Sequence, residues 1–477
     1  MATPFHVVQR ATELPVPAEE VYKWHTRPGA LERLTPPWDQ VEVVEGAGGV
    51  EDGGRVTLRV HVGPVARSWV ARYRDVHPGR QFVDEQIEGP FSHWVHTHRM
   101  EPLGPDASRL VDHIEFMPPF GTLGAAAGLW IVKPRLERLL AWRHATTAED
   151  LAVHDRWRDE PRRHVLVSGA SGLVGTALGP FLTTQGHRVT RLVRRAARAD
   201  EIRWDPDHGL LDAAQLDGID AIVHLAGASI ADGRWTDARR QLIRDSRRQG
   251  TRLLSETIAR LERKPAVLVS ASALGIYGDR ADEILDENSS PGDGFLADVC
   301  REWEAATRPA AEAGVRVVHV RFGVILSPAG GALRKMLLPF RLGLGGPLGP
   351  GTQWMSWISI DDAIGAIHHI MMTPTLAGPV NVVGPEPVTN RAFARTLGEV
   401  VHRPAIAAVP APLLRAFFGE MAEATVLASQ RGLPRRLLDS GYRFRHPTLG
   451  AALSHVLGRG DQRPRSPSAR PPASTFP

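Results

Sequence analysis

The stretch "HVLVSGASGLVGTAL", residues 164–178, decides the reading of this chain. A short apolar strand runs into Gly169, Gly172 and Gly175, and a helical pattern begins at once. The first glycine permits a tight turn, the second lets backbone approach a pyrophosphate, and the third lets helix and strand pack closely. The N–H groups of Ser171, Gly172, Leu173 and Val174 would lie at the helix start, where free donors and positive potential favour phosphate. Gly186 ends that helix before the next strand, so the glycines sit in the strand–turn–helix context that a dinucleotide site requires.

Working outward, continuous apolar strands such as "AIVHLAG", "AVLVSAS" and "VRVVHVRFG" alternate with amphipathic helices. That alternation predicts a Rossmann-like α/β domain over 162–390, with a doubly wound parallel sheet. The second strand ends in "RLVRR", which places Val193 and Arg194 beside the adenosine ribose. An acid at this point selects NAD, whereas an arginine suits a 2′-phosphate. NADP(H) is therefore expected in preference to NAD(H).

The G-x-x-G-x-x-G spacing resembles the extended short-chain dehydrogenase/reductases. Several further stretches, "LAGASIADGRW" (225–235), "IRDSRRQGTRLL" (243–254) and "PAPLLRAFFGEMAEATVLASQRGLPRRLLDSGYRF" (410–444), are similar to the atypical YfcH-type epimerase family. The resemblance runs from about Val165 to Leu457 and implies a small helical C-terminal domain, 391–458. It implies cofactor contacts at Leu225, Ala226 and Gly227, where His224 replaces the superfamily's Asn, at Arg247 of the "SR" pair, and near Ile325. The Gly-rich "FRLGLGGPLGPGTQW" (340–354) is expected as a lid over the substrate, or as a long loop. Asp361 and Asp362 are expected to cap the helix that follows them.

Reductases of this superfamily move a proton with a Tyr and a Lys four residues later, on one helix face. Here the four tyrosines, Tyr22, Tyr73, Tyr277 and Tyr442, are followed at that distance by Thr26, His77, Ala281 and His446. No Y-x-x-x-K exists in the chain. The helix expected to carry it, "DGFLADVCREWEAA" (293–306), offers Phe295, Asp298, Cys300 and Arg301. Ser272 matches the substrate-orienting serine, and Tyr277 is the substitute acid to consider. Asp298 would act as an acid only if burial raised its pKa; otherwise it is a surface carboxylate. Cys300 has no evident His partner.

The first 150 residues read differently. Period-two runs such as "RVTLRVHV", "HWVHTHRM" and "SRLVDHIEF" predict an antiparallel sheet, and "PAEEVYKWHTRPGALERL" one or two helices. In "LWIVKPRLERLLAWRHA" the apolar residues Leu129, Ile131, Val132, Leu136, Leu139 and Leu140 fall on one helical face. This order of elements, with "PGALERLTPPW" and "GPFSHWVHTHRM", resembles the SRPBCC (START-like) helix-grip superfamily. The resemblance implies an α+β domain whose sheet curls around the last helix and binds a hydrophobic small molecule. His93, His96, His98 and His113 invite a metal reading, but His96 and His98 share a strand face with no further ligand pattern, so no metal is expected.

The single cysteine excludes a disulfide framework and a Cys-ligated metal. Much of the net charge of +4 lies in "RGDQRPRSPSARPPASTFP", which has four Arg against one Asp. The rest is nearly neutral, and no nucleic-acid partner is expected. Residues 151–161 read as a charged linker and 459–477 as a disordered tail. No apolar leader or membrane-spanning run is present, so a cytoplasmic protein is expected. Two functions follow: an NADP-dependent oxidoreductase or epimerase acting on a small, apolar substrate, or a non-catalytic nucleotide sensor or scaffold whose front domain binds a hydrophobic ligand.

Overall fold

A computed structural model describes residues 5–459, apart from residues 40, 47–48, 63–64, 122–123, 125 and 127. The expected tail beyond Arg459 lies outside the described residues.

The front of the chain is a seven-stranded antiparallel sheet in the order β1-β7-β6-β5-β4-β3-β2. Its strands are β1 (His6–Leu14), β2 (Val41–Glu45), β3 (Arg55–Val62), β4 (Val65–His77), β5 (Gln81–Glu88), β6 (His93–Gly104) and β7 (Ala107–Met117). Burial alternates strictly along β6 from His93 to Met100, so one face is turned inward as the period-two pattern requires. Helices Ala18–Thr26 and Ala30–Arg33 and the long helix Lys133–Arg156 complete the helix-grip arrangement.

Two expectations are corrected here. The apolar face predicted from Leu129 onward begins only at Leu136 and Leu140, which are buried. Gly128–Val132 forms a π-helical turn that leaves Leu129, Trp130 and Ile131 exposed. Residues 151–156 are the last turns of the long helix rather than linker, with Asp150, Leu151 and His154 buried. Asp155 and Arg156 are exposed, but Asp150, just before them, is buried against Arg33 and Arg445.

The second sheet runs Leu210–Leu211, Glu201–Asp205, Arg188–Val193, His164–Ser168, Ala221–His224, Val267–Ala273, Arg316–Phe322 and Gly378–Val382. Its pairings are parallel except at the Leu210–Leu211 edge. Chain direction across the sheet reverses between His164–Ser168 and Ala221–His224, so the loops after these strands bound a crevice at the carboxyl ends. The C-terminal helices Asn390–Val401 and Leu449–Val456 do not form a core of their own. Phe393, Leu397, Leu453 and Val456 join the same apolar cluster as Val165, Val269, Val320 and Ile364. No described helix is long and apolar enough to cross a membrane.

Buried charge joins the front domain to the rest. Arg33 forms two bonds to Asp150 (2.8 and 3.0 Å) and a third contact to Asp361 (2.7 Å). Arg445 reaches Asp150 from the C-terminal segment at 2.7 Å, and His455 lies 3.1 Å from Asp361. Asp361 and Asp362 are therefore not the helix cap. Ser359 caps the helix by accepting Asp362 N–H, while Asp362 also accepts N–H from Arg445 and His446. The front domain also touches the far end of the glycine-loop helix, where Arg27 donates to the Thr184 carbonyl at 2.8 Å.

Candidate functional site

Gly169 has φ +67°, and a Cβ there would come within 2.7–2.9 Å of the Leu225–Ala226 backbone. A Cβ on Gly175 would lie 2.3 Å from the Gly169 carbonyl oxygen. Both positions therefore require glycine. Gly172 precedes the helix Leu173–Thr184 and places no side chain on its first N–H groups. Ser171 and Gly172 are exposed, and Leu173 and Val174 half-buried, at the mouth of the crevice.

The opposite wall is tied to this one by Ser168, whose Oγ accepts N–H from Leu225 and Ala226 at 3.1 and 3.3 Å. Its own hydrogen then goes to His224 Nδ1 (2.7 Å), leaving Nε2–H for Thr251 Oγ1 (2.9 Å). Burial lowers the His224 pKa to about 4, so the ring is neutral and serves as a strut between the two loops.

Arg247 donates to the carbonyls of Ala228 and Ile243 and lies over Trp303, 4.9 Å from the ring centroid. No described carboxylate pairs with it. Gly227 leaves open the face of its guanidinium, since a Cβ there would be 3.3 Å from Arg247 Cζ. Arg194 is exposed beyond Val193 and has no ion pair among the described residues. Its neighbour Arg195 is bound bidentately to Glu201 at 2.7 and 2.6 Å. Ile325 lies in Val324–Leu326, and Gly331 sits between its carbonyl oxygen and the Leu173 side chain. The structure thus gathers the glycine loop, the Leu225–Gly227 turn, Arg247 and the Ile325 segment around one crevice. This set, with two unpaired cations and glycines where a Cβ would intrude, fits a dinucleotide.

Helix Phe295–Ala305 lies beside the end of strand Val267–Ala273. A Cβ on Gly275 would meet Leu296 Cβ at 3.4 Å and Cys300 Sγ at 4.0 Å. Glu304, one turn on, accepts from Ser272 Oγ at 2.7 Å. The face where the Tyr–Lys pair would stand is therefore Leu296–Cys300–Glu304. Burial pushes the Cys300 thiol up to about 11. Burial by itself would raise Glu304, but Arg321, His319 and Ser272 hold it below its ordinary value. Arg321 binds both Glu304 oxygens (2.8 and 2.9 Å) and donates to Tyr277 Oη at 2.9 Å. Tyr277 is fully buried, with Oη 2.9 Å from the Asp286 carbonyl and from Asn381 Oδ1, and burial raises its pKa.

Ser272 and Tyr277 thus belong to one closed network that the sequence did not reveal, because Glu304, Arg321 and Asn381 come from three other elements. Asp298 pairs at the surface with Arg301. The expected lid is tied down. Ala407 N–H donates to the Gly345 carbonyl and Val409 N–H to that of Pro347.

Between the front sheet and the long helix, where an apolar cavity is expected, the centre is polar. His96 and His98 each lie between Asp84 and Asp112, and His144 closes on Asp112 from the long helix. Burial would lower His98, but Asp112 and Asp84 hold it at about 9. His93 and His113 point elsewhere: His93 stacks on Phe5, and His113 meets Gln9 and Glu115.

A parallel sheet, a glycine cradle at its switch point and a basic crevice define a nucleotide-binding α/β protein of the reductase–epimerase class. The NAD dependent epimerase/dehydratase family matches residues 165–384. A domain of unknown function, DUF1731, matches 409–456, and the polyketide cyclase/dehydrase and lipid transport family matches 14–145. The epimerase family protein Mb2239 of Mycobacterium bovis is 46% identical over 62% of this chain and 98% of its own length. The crystal structure of a nucleoside-diphosphate sugar epimerase from Corynebacterium glutamicum is 34% identical and covers 95% of this chain and 90% of its own, with a TM-score of 0.78. Human epimerase family protein SDR39U1, crystallised with NADPH, is 37% identical over 61% of this chain and 98% of its own, with a TM-score of 0.57. The chain belongs to the NAD dependent epimerase/dehydratase family, with a polyketide cyclase-like domain in front.

Proposed function

We propose that the protein binds NADP(H) in the crevice between the Gly169–Gly175 loop and the Leu225–Gly227 turn, and acts as an oxidoreductase or epimerase on a small, apolar substrate. The observation that carries the proposal is the cradle itself, in which Gly169 and Gly175 leave no room for a Cβ, and Arg247 and Arg194 have no carboxylate partner among the described residues. Arg194 would meet the 2′-phosphate and Arg247 the phosphate or ribose oxygens. The NADPH-bound human relative supports this reading.

When bound, a nicotinamide supplies or accepts hydride. The chain's own residues orient the substrate and exclude water. Leu296, Phe295, Ile230, Trp235 and Met421 form an apolar cluster beside Gly275, which suits an apolar substrate face. No group on the helix face can serve as a neutral-pH acid: Cys300 is a protonated thiol and Glu304 is held by Arg321. The substrate therefore carries or releases its own proton, or takes one from water, as reduction of an activated C=C or C=N allows. Ser272, whose hydroxyl hydrogen goes to Glu304, would orient a substrate N–H or O–H by accepting from it. The exposed Phe120, Trp130 and Ile131 give the front domain an apolar surface for a hydrophobic ligand.

Fluorescence titration with NADPH and NADH tests the cofactor. Tighter binding of NADH would refute the Arg194 assignment. Consumption of NADPH at 340 nm with enones and imines, lost in Ser272→Ala while affinity is kept, tests the chemistry.

A further inference from the structure

His96 and His98 are neighbours on the inward face of β6, with ring centroids 3.8 Å apart. Strand pairing sets Asp84 of β5 directly across from His96, and Asp112 of β7 directly across from His98. The two carboxylates thus flank the two imidazoles. Asp84 Oδ2 lies 3.4 Å from His96 Nδ1 and 3.1 Å from His98 Nε2. On the far side, Asp112 Oδ1 lies 3.1 Å from His96 Nε2 and 2.6 Å from His98 Nδ1. Asp112 Oδ2 is 2.8 Å from His144 Nε2, whose Nδ1 is 2.8 Å from Thr12 Oγ1.

We infer that Asp84, His96 and His98 form a binding site for a divalent first-row transition-metal ion, with Asp112 as the carboxylate that orients both histidines. Their ligand atoms lie within 4.8 Å of one another. Bond lengths of about 2.0–2.2 Å in a tetrahedral or octahedral site put neighbouring ligands roughly 3.0–3.5 Å apart. The Asp84 contacts to the two rings already have that spacing. Metal-binding histidines ordinarily donate their second N–H to a carboxylate, which fixes the ring and its tautomer. Asp112 stands at that position for His96 and lies 2.6 Å from His98 Nδ1, and it is held in turn by His144, itself bonded to Thr12. The set of two imidazoles and one carboxylate, without thiolate, suits zinc, iron(II) or cobalt(II) and leaves coordination positions open. The Asp84 side chain is 20% exposed, whereas those of His96 and Asp112 are 3% and 4% exposed, so an ion enters from the Asp84 side. A second group, Glu149, His446 and His455, is less suited, because Glu149 Oε2 lies 4.0 Å from His446 Nε2, beyond the spacing of neighbouring ligands.

The test uses the full chain, stripped with a chelator and titrated with Co²⁺. One Co²⁺ per chain, with visible d–d bands and displacement by Zn²⁺, is the expected result. Asp84→Asn and His98→Gln should weaken binding a hundredfold or more, Asp112→Asn by about 10–100-fold, and His446→Gln should bind as the parent does. Near-UV circular dichroism checks that each variant is folded. Absence of stoichiometric Co²⁺ or Zn²⁺ binding, or unchanged binding in folded Asp84→Asn, overturns the assignment. If the variants do not fold, X-ray absorption of the cobalt-loaded parent decides it: two imidazoles per metal support the site, and an all-oxygen shell refutes it.

Discussion

Two glycines on one helix separate the claim that the loop is a cofactor cradle from the claim that it is merely a turn. A Cβ at Gly175 would sit 2.3 Å from the Gly169 carbonyl oxygen and 2.6 Å from Ala170 Cα. Both are backbone atoms, so Gly175→Ala must push the loop away from the helix by about 1 Å to restore ordinary contact. That movement withdraws N–H donors from a bound pyrophosphate, and each charge-assisted hydrogen bond lost costs about 1.5–3 kcal/mol. NADPH affinity should therefore fall by roughly 10–150-fold for each bond broken. Gly179 lies one turn further along the same helix, and a Cβ there meets nothing within 4 Å. Gly179→Ala should leave affinity unchanged and stabilise the helix by about 0.5–1 kcal/mol. Protein-fluorescence titration with NADPH measures affinity, and urea unfolding measures stability. Gly175→Ala binding within threefold of the parent would refute the cradle.

Arg194→Ala should lower NADPH affinity about tenfold, as loss of one charge-assisted contact predicts, and leave NADH affinity unaltered in parallel titrations. Tyr277→Phe leaves an Arg321 N–H without its acceptor and should cost about 1–3 kcal/mol in urea unfolding, with NADPH affinity intact because Tyr277 is fully buried. Arg33→Met strips a buried cation from Asp150 and Asp361 and should cost about 3–5 kcal/mol, seen as an earlier urea transition. His187, His224 and His369 have folded pKa values lowered to about 4, chiefly by burial, so the unfolded chain binds their protons first. Stability should fall as pH drops from about 6.5 toward 4. In the metal-free chain His98, held near 9, acts oppositely: its contribution is complete below about 6.5 and is lost as pH rises through 9. Thermal unfolding at pH 4.5, 6.5 and 9 follows both limbs.

Legibility differed from element to element. The glycine loop and the sheet it serves were readable because their constraints are local: a tight turn and a close helix approach demand glycine at set intervals. The exposed position of Arg194 was readable too, since it follows a strand end by one residue. The helix Phe295–Ala305 was found, but the face it packs against the strand end was not. Only packing shows that Leu296 and Cys300 turn toward Gly275 and Glu304 toward Ser272, while Asp298 turns to solvent. The charged run before residue 157 looked like linker because its apolar residues are few and its buried charge, Asp150, is satisfied by Arg33 and Arg445, far away in sequence.

The sequence by itself determined the two sheets, the cofactor loop and the absence of a Tyr–Lys pair, because each follows from residue identity and short spacing. Only the tertiary structure decided which polar groups meet. His96 and His98 were visible as a pair, but Asp84 and Asp112 join them through strand register, and His144 through a helix that crosses the sheet. Glu304 meets Ser272 and Arg321 in the same way. Buried polar groups must find partners once water is excluded. Which partners they find is set by long-range packing that no local spacing records.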